Sequence, residues 1–293
     1  MPKLSPHFMG LPAEETQYKN SPVVIIPVPW EKTTSYMKGT GKGPQAIIAA
    51  SHQVEFYDAE LKKENWKPGI HTFSPVDFGA SDSKKALEAI EKTVGQVLDD
   101  HKFPIALGGE HTLTAGCVAA AAKRYPNLSI LQIDAHADLR ESYDGTPYSH
   151  ASAMRLCLKS VKKLVGVGIR SVCVEEVEFA KQHSGVTLIY DHEKQTDPNW
   201  VTKALQGLTD DVYLTIDVDG FEPNLIPATG TPEPGGLTWY EGLKLIRSVF
   251  QKKNVVAADV VELLPLASQH ASDFIAAKLV YKLIGYRQES RLQ

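Results

Sequence analysis

The stretch ILQIDAHAD, residues 130–138, contains an apolar strand that ends in alternating acidic and imidazole side chains. In an extended chain successive side chains point to opposite faces, so Asp134, His136 and Asp138 would share one face. A single Asp after an apolar strand is usually a turn residue or a helix N-cap. Turn chemistry does not ask for three potential ligands at a spacing of two, and the pattern therefore indicates a metal site.

On both sides of this stretch, short apolar runs alternate with segments of helical length. Parallel strands need crossover connections, so the alternation predicts an α/β fold with a parallel sheet and helices on both faces. The chain, 1–293, is predicted to be a single domain with an N-terminal arm at 1–22, and residues 52–82 receive no assignment. The predicted strands are 23–26, 103–107, 128–133, 163–167, 187–190, 212–216 and 255–260. The predicted helices are 84–100, 112–124, 150–160, 174–183, 198–208, 238–251 and 268–284.

Composition excludes several classes of partner. The formal charge of -4 and the absence of Lys/Arg clusters argue against nucleic acid and anionic membranes. No apolar run approaches the roughly 18 residues of a membrane span, and the first residues lack an apolar signal core. Cys117, Cys157 and Cys173 show no CxxC spacing and are interpreted as small buried hydrophobes, typical of a reducing compartment. The sequence thus predicts a soluble, cytoplasmic protein.

Ligand-type side chains follow four of the predicted strands. Because sites of parallel sheets lie at the carboxyl ends of the strands, these side chains are expected to meet at one edge. Six donors suit two ions better than one, and two divalent cations would balance the four aspartates. Oxygen-rich donors with two imidazoles and no thiolate favour Mn²⁺, while Fe²⁺, Co²⁺ and Ni²⁺ stay open. The candidate ligands are His111, Asp134, His136, Asp138, Asp217 and Asp219.

Two further residues have alternative interpretations. Glu262 follows the last predicted strand, where its carboxylate could bind a guanidinium or simply cap a helix. His150 follows the polar loop after Asp138, where it could shuttle protons or merely begin a helix.

Five sequence blocks resemble the signature blocks of the ureohydrolases, the arginase and agmatinase family. They are GGEHTL at 108–113, IDAHADLR at 133–140, TIDVDGFEP at 215–223, PATGTPEPGGLT at 227–238 and DVVELLP at 259–265. The resemblance implies the three-layer α/β/α arginase-like fold with an eight-stranded parallel sheet.

The resemblance also implies roles for the site residues. One Mn²⁺ would be bound by His111, Asp134, Asp138 and Asp217, and the other by Asp134, His136, Asp217 and Asp219. Asp138 would also orient a metal-bridging hydroxide that attacks the guanidinium carbon. His150 matches the family's proton shuttle, Glu262 its guanidinium-binding glutamate, and Thr238 a position near the guanidinium end of the substrate.

The segment LRESYDGTPYSHAS, residues 139–152, contains the loop from Arg140 to His150. This loop looks like that of bacterial and archaeal agmatinases. It lacks the Asn with which arginases read the α-carboxylate, and Arg140 stands there instead, interpreted as a salt-bridging residue. The expected reaction is therefore agmatine plus water to putrescine plus urea. Alternatives are a guanidinobutyrase, guanidinopropionase, arginase or guanidine hydrolase, and a metal-binding relative without turnover. The family further implies a homo-oligomer, a trimer or hexamer, that acts on a small cationic guanidino substrate.

Overall fold

The computed structural model describes residues 6–290, and within them one eight-stranded parallel sheet carries the fold. Its strand order is β4-β1-β5-β10-β9-β6-β7-β8, and a short antiparallel pair, β2-β3, stands apart from it. In chain order the strands are β1 (Val23–Val28), β2 (Tyr57–Asp58), β3 (Lys63–Glu64), β4 (Ile70–Thr72), β5 (Phe103–Gly108), β6 (Ser129–Ile133), β7 (Lys163–Ile169), β8 (Val186–Tyr190), β9 (Asp211–Asp217) and β10 (Asn254–Val261).

Helices lie on both sides of this sheet. They are α1 (Gly43–Ser51), α2 (Ser83–Asp99), α3 (Thr114–Ala122), α4 (Ala153–Cys157), α5 (Val174–Gln182), α6 (Asp191–Lys194), α7 (Trp200–Gly207), α8 (Trp239–Lys252) and α9 (His270–Ser290). Short 3-10 turns occur at Phe8–Gly10, Ala13–Glu15, Tyr18–Asn20, Thr40–Lys42, His111–Leu113, His150–Ser152 and Val218–Gly220. The predicted three-layer α/β/α architecture with eight parallel strands is confirmed.

Two apolar clusters form the core, one on each face of the sheet. Along β1, Ile25 belongs to the cluster that includes α1, α8 and α9, whereas Val24 and Ile26 belong to the cluster that includes α2, α3 and α4. Strand side chains alternate between faces, so each central strand contributes to both clusters. This burial on both faces explains why the strands read as continuous apolar runs.

Local signals explain where helices begin. Asp82 caps α2 because its side chain accepts a hydrogen bond from the Lys85 amide at 2.8 Å. The buried residues of α2 then recur at helical spacing, at Ala86, Ile90 and Val94.

The structure corrects several sequence predictions. The unassigned stretch 52–82 contains β2, β3 and the edge strand β4, which pairs with β1 and completes the sheet. The helix predicted at 150–160 is a 3-10 turn followed by the short helix α4. Of the predicted N-terminal arm, residues 1–5 lie outside the described part of the chain, while Phe8 and Met9 are buried against the core.

Cys117 and Cys157 are buried as predicted, whereas Cys173 is only partly buried at the start of α5. Among the described residues, no helix combines the length and apolar character needed to cross a membrane.

Candidate functional site

The candidate site lies at the carboxyl ends of four adjacent central strands, β5, β10, β9 and β6. The chain passes from β5 directly to β6 and only later inserts β9 and β10 between them. Such a change in strand order opens a crevice at the carboxyl edge of a parallel sheet. The sequence prediction that one sheet edge gathers the ligand-type residues is confirmed for this edge.

His111 stands at the centre of the first group of donors. Its Nδ1 lies 3.1 Å from Asp134 Oδ2, 3.1 Å from Asp138 Oδ2 and 3.5 Å from Asp217 Oδ2. The atom is buried, yet no described residue forms a hydrogen bond of acceptable geometry with it. Ligand atoms about 2.1 Å from one ion and at right angles to each other lie about 3 Å apart, so these separations suit a common cation.

The opposite ring nitrogen of His111 explains which way the imidazole is oriented. Nε2 lies 2.8 Å from Thr215 Oγ1, and the Thr215 hydroxyl donates its hydrogen to Asp259 at 2.6 Å. The hydroxyl oxygen is therefore an acceptor for Nε2–H, which leaves the Nδ1 lone pair directed toward the three carboxylates. A lone pair facing carboxylate oxygens is unfavourable unless a metal ion or a proton lies between them.

Asp134 connects this group to a second one. Its Oδ1 lies 3.6 Å from His136 Nδ1, while Asp219 Oδ2 lies 3.0 Å from the same nitrogen. The structure thus contains two sets of donors that could each hold a metal ion, His111 with Asp134 and Asp217, and Asp134 with His136 and Asp219. The two oxygens of Asp134 face different sets, which is the arrangement expected of a bridging carboxylate.

The backbone brings these side chains together differently from the sequence interpretation. Strand β6 ends at Ile133, so the segment 134–138 is not a continuous strand, and the extended-strand explanation of its spacing is wrong. Asp138 has a φ of 53°, in the left-handed region that few non-glycine residues adopt. Asp217 ends β9, and its side chain accepts a hydrogen bond from the Asp219 amide at 2.9 Å across a 3-10 turn. Turns at the strand ends, rather than strand pleating, make the donors converge.

The electrostatics of this cluster favour positive charge. Burial, together with Asp219, Asp134 and Glu262, raises the pKa of Asp217 well above its ordinary value. Burial opposes a charge on His111, but Asp134 and Asp138 raise the pKa of His111 well above its ordinary range. The residues present therefore fit divalent cations, which would neutralise the carboxylates that now repel one another.

A cleft of about 270 Å³ opens above the donors. Glu262 lies at its wall in a left-handed conformation, with a φ of 64°, and its Oε1 accepts a hydrogen bond from the His111 amide at 2.7 Å. Burial and Glu110 raise the pKa of Glu262 well above its usual value. His150 lines the same cleft.

Two expectations about the cleft change, and one further residue is found in its lining. Thr238 is exposed and does not line it; instead its side chain and that of Glu241 form the capping box that begins α8. Thr231, which sequence reasoning did not single out, does line the cleft. Arg140 forms no salt bridge among residues 6–290; instead its guanidinium lies 5.4 Å from the ring centroid of Tyr143, within the range of a cation–π contact.

The sequence reasoning also missed Arg170. Its guanidinium donates hydrogen bonds to the carbonyls of Asp219 at 2.6 Å, Glu233 at 3.0 Å and Pro234 at 3.0 Å. Arg170 therefore fastens the loop that carries Glu233 to the loop that carries a candidate ligand. No local motif marks this role, because the five hydrogen bonds that the Arg170 guanidinium donates within residues 6–290 all go to backbone carbonyls.

Comparisons with known proteins identify the family of the chain and agree with its fold. The family model described as "Arginase family" matches residues 21–285. An N(1)-aminopropylagmatine ureohydrolase of Synechocystis sp. is 40% identical over 94% of this chain and 92% of its own length, and a Bacillus anthracis agmatinase is 37% identical over 89% of each. The solved agmatine ureohydrolase of Thermoplasma volcanium superposes with a TM-score of 0.89 at 29% identity, covering 99% of this chain and 97% of that one.

The five sequence blocks, the sheet topology and these relatives all point to one conclusion. The chain is an amidinohydrolase that belongs to the arginase family.

Proposed function

We propose that the protein hydrolyses agmatine to putrescine and urea, using two Mn²⁺ ions held by the six donors. The observation that carries this proposal is Asp134, whose two oxygens face two separate donor sets at the base of one cleft. Such a carboxylate suits a binuclear centre. The donor set of four carboxylates and two imidazoles without a thiolate favours Mn²⁺, with Ni²⁺, Fe²⁺ and Co²⁺ as alternatives.

When bound, two divalent ions would lower the pKa of a water molecule and so supply a nucleophile near neutral pH. In the first set, His111, Asp134, Asp138 and Asp217 would hold one ion. In the second, His136 and Asp219 would hold the other, with Asp134 and Asp217 shared. Asp138 is also proposed to orient the nucleophile, since it lines the cleft and its Oδ2 lies 3.1 Å from His111 Nδ1, beside the first donor set.

Glu262 is proposed to hold the guanidinium. One of its oxygens is engaged by the His111 amide, and the other has no partner among the described residues, so it can accept from a guanidinium N–H. This contact fixes the guanidinium carbon above the donor sets. His150 is proposed to give a proton to the departing amine, which must leave as a neutral or protonated amine rather than an anion.

The tail of the substrate reaches residues farther along the cleft. Glu233 and Arg140 both line it, and they would favour opposite charges. Arg140 is already engaged by Tyr143, whereas the Glu233 carboxylate has no ion pair or hydrogen bond among residues 6–290. The unpaired Glu233 carboxylate supports a substrate with an amine tail, such as agmatine, over one with a carboxylate tail, such as guanidinobutyrate.

N(1)-aminopropylagmatine is a second candidate substrate. The Synechocystis relative of that name matches 94% of this chain at 40% identity, somewhat above the agmatinase of Bacillus anthracis. This compound shares the guanidinium and adds a second ammonium group to the tail, so the same residues would bind its reacting end.

A urea-release assay on the Mn²⁺-loaded protein tests these proposals. The panel is agmatine, N(1)-aminopropylagmatine, arginine, guanidinobutyrate and guanidine, with metal content measured in parallel. We expect one of the two amine-tailed compounds to have the highest kcat/KM. Faster turnover of arginine or guanidinobutyrate would contradict the substrate proposal, and absence of urea from every compound would contradict turnover itself.

A variant at Glu233 tests whether this residue binds the charged tail of the substrate. Glu233→Gln is expected to raise KM for the preferred amine by about tenfold, the loss of one charged contact, and to leave guanidinobutyrate unaffected or improved. Equal effects on both compounds would show that Glu233 does not read the tail charge.

We further propose that the protein is cytoplasmic and forms a homo-oligomer, a trimer or hexamer. The free, largely buried cysteines suit a reducing compartment. Size-exclusion chromatography with light scattering tests the assembly.

A further inference from the structure

Glu110 is a fully buried acid that belongs to neither donor set. Its Oε2 accepts the amide hydrogens of Lys32 at 2.7 Å and Thr33 at 2.6 Å. Its Oε1 accepts the hydroxyl hydrogens of Thr33 at 2.9 Å and Thr112 at 2.8 Å. Four donors thus hold the carboxylate between the end of β5 and the loop that follows β1.

The contact with Glu110 determines what Thr33 can do next. A carboxylate can only accept hydrogen bonds, so the Thr33 hydroxyl donates its single hydrogen to Glu110. The lone pairs of Thr33 Oγ1 then face His150, whose backbone amide lies 3.0 Å away and whose Nδ1 lies 3.3 Å away. Both contacts therefore require hydrogens on His150, one on its amide and one on Nδ1.

We propose that Thr33, fixed by Glu110, is the positioning residue that holds His150 in the Nδ1–H tautomer. No described residue hydrogen-bonds Nε2, and that atom is left to exchange the proton with the substrate. This inference rests on the proposed function of His150. As the guanidino C–N bond breaks, its electron pair stays on the departing nitrogen, which takes the proton from Nε2. The imidazole becomes neutral and keeps Nδ1–H on Thr33.

Ser149 is the competing partner. Its Oγ lies 3.4 Å from Nδ1, longer than the Thr33 contact, and among residues 6–290 no second acceptor fixes the direction of its hydroxyl hydrogen. The ring of Tyr143 packs edge-on against the imidazole, with centroids 5.7 Å apart, and limits its rotation. Besides the candidate metal ligands and His150 itself, the charged or titratable groups of residues 6–290 that line the same cleft are Tyr36, Arg140, Tyr143, Glu233 and Glu262. All of them stay constant in the variants below.

Four variants test the assignment through steady-state kinetics on the preferred substrate. Thr33→Val removes the acceptor for Nδ1–H, so we expect kcat to fall at least about tenfold while KM changes by less than about threefold. Thr33→Ser keeps the hydroxyl and should restore most of kcat. Thr112→Val removes a different donor to Glu110, and Ser149→Ala removes the competing contact; both should stay close to the wild type.

The pH profile adds a measurement that a merely structural defect would not move. Loss of the acceptor destabilises the imidazolium, so the His150 limb of the kcat profile should shift to lower pH in Thr33→Val. An unshifted limb, or an equal fall in kcat for Thr112→Val or Ser149→Ala, would overturn the proposal.

The tautomer can also be measured without turnover. ¹⁵N NMR of the histidine-labelled, metal-free full chain, with His150→Gln to assign the signal, should show protonated Nδ1 in the wild type and a tautomer mixture in Thr33→Val. A neutral wild-type imidazole that carries its hydrogen on Nε2 rather than on Nδ1 would overturn the proposal even if the enzyme releases urea. Absence of urea release with protonated Nδ1 would instead contradict the proposed function alone.

Discussion

Thr215 illustrates how a residue outside the donor sets can control metal binding. Its hydroxyl accepts from His111 Nε2 and donates to Asp259, so it fixes both the ring orientation and the tautomer of His111. Partners of this kind typically change metal affinity 10–100-fold when they are removed. We predict that Thr215→Val binds Mn²⁺ at least about tenfold more weakly, measured by competition with a calibrated chelator.

A buried threonine without such a contact is the matched control. Thr40 is fully buried, and its hydroxyl has no partner among the described residues. Thr40→Val should therefore leave metal affinity unchanged. If Thr215→Val bound Mn²⁺ as tightly as the wild type, the orientation of His111 would not depend on this hydrogen bond.

At the residue scale, the sequence was informative where one side chain carries the chemistry by itself. His111, Asp134 and Asp217 could be selected because acids and imidazoles follow apolar strands. Thr33 and Arg170 could not, because their roles arise from partners far away in the sequence. Thr238 was placed wrongly for a related reason, since a Ser/Thr three residues before Glu is also the pattern of a capping box.

At the scale of elements, the end of β5 is where the loop carrying Thr33 meets the sheet. The amides of Gly109 and Glu110 donate to the carbonyls of Val28 and Trp30 at 3.0 and 2.9 Å. A Cβ placed on Gly109 would lie 2.0 Å from the Trp30 carbonyl oxygen, which is backbone and cannot turn aside. The close approach of these two segments therefore requires glycine.

We predict that Gly109→Ala destabilises the protein by about 1–3 kcal/mol and lowers activity, because the loop with Thr33 must move away from the site. Gly95→Ala is the matched control: nothing lies within 4 Å of its added Cβ inside α2, and it should stabilise the fold by about 0.5–1 kcal/mol. Urea denaturation of both variants measures the free energy of unfolding. Equal stabilities would mean that the two segments separate without cost.

The elements that the sequence missed are those without a periodic pattern. Strand β4 has only three residues and lies at the sheet edge, so its pairing with β1 is determined by tertiary contacts rather than by its own propensity. The longer central strands and α2 were predicted because burial on both faces or on one stripe leaves a readable pattern. The convergence of the donors was predicted through the topology, while the turns that bring it about were not.

At the scale of the whole molecule, the fold concentrates negative charge at one sheet edge although the chain carries a net charge of only -4. Four buried aspartates and Glu262 lie around the two donor sets. A large apolar core on both faces of the sheet can sustain this arrangement, which is unfavourable for folding without cations. The clustered carboxylates at the crevice between β5 and β6 thus lower the stability of the metal-free fold and favour metal binding. Metal binding and folding should therefore be thermodynamically linked.

This linkage yields a prediction in which one variant has opposite effects with and without metal. Burial and acidic neighbours raise the pKa of Asp217 in the folded protein. The metal-free fold therefore loses stability as the pH rises above about 4, the pKa of an Asp in the unfolded chain, and this loss grows until the pH reaches the pKa of the folded state. Asp217→Asn removes the carboxylate charge but keeps an oxygen for the Asp219 amide. We expect the metal-free variant to be more stable than the metal-free wild type at pH 7, with the difference shrinking toward pH 4.

With Mn²⁺ the order should reverse. Binding at 100 times Kd stabilises a folded protein by about 2.7 kcal/mol per site, and Asp217→Asn would lose much of this term because the carboxylate is proposed to serve both ions. Urea denaturation at pH 7, with chelator and with saturating Mn²⁺, measures both orders, and Asp210→Asn on the exposed surface is the control that should shift neither. If chelation left the stability of the wild type unchanged, metal binding and folding would not be linked. If the metal-free variant were less stable than the metal-free wild type, repulsion between the carboxylates at this sheet edge would not be what destabilises the metal-free fold.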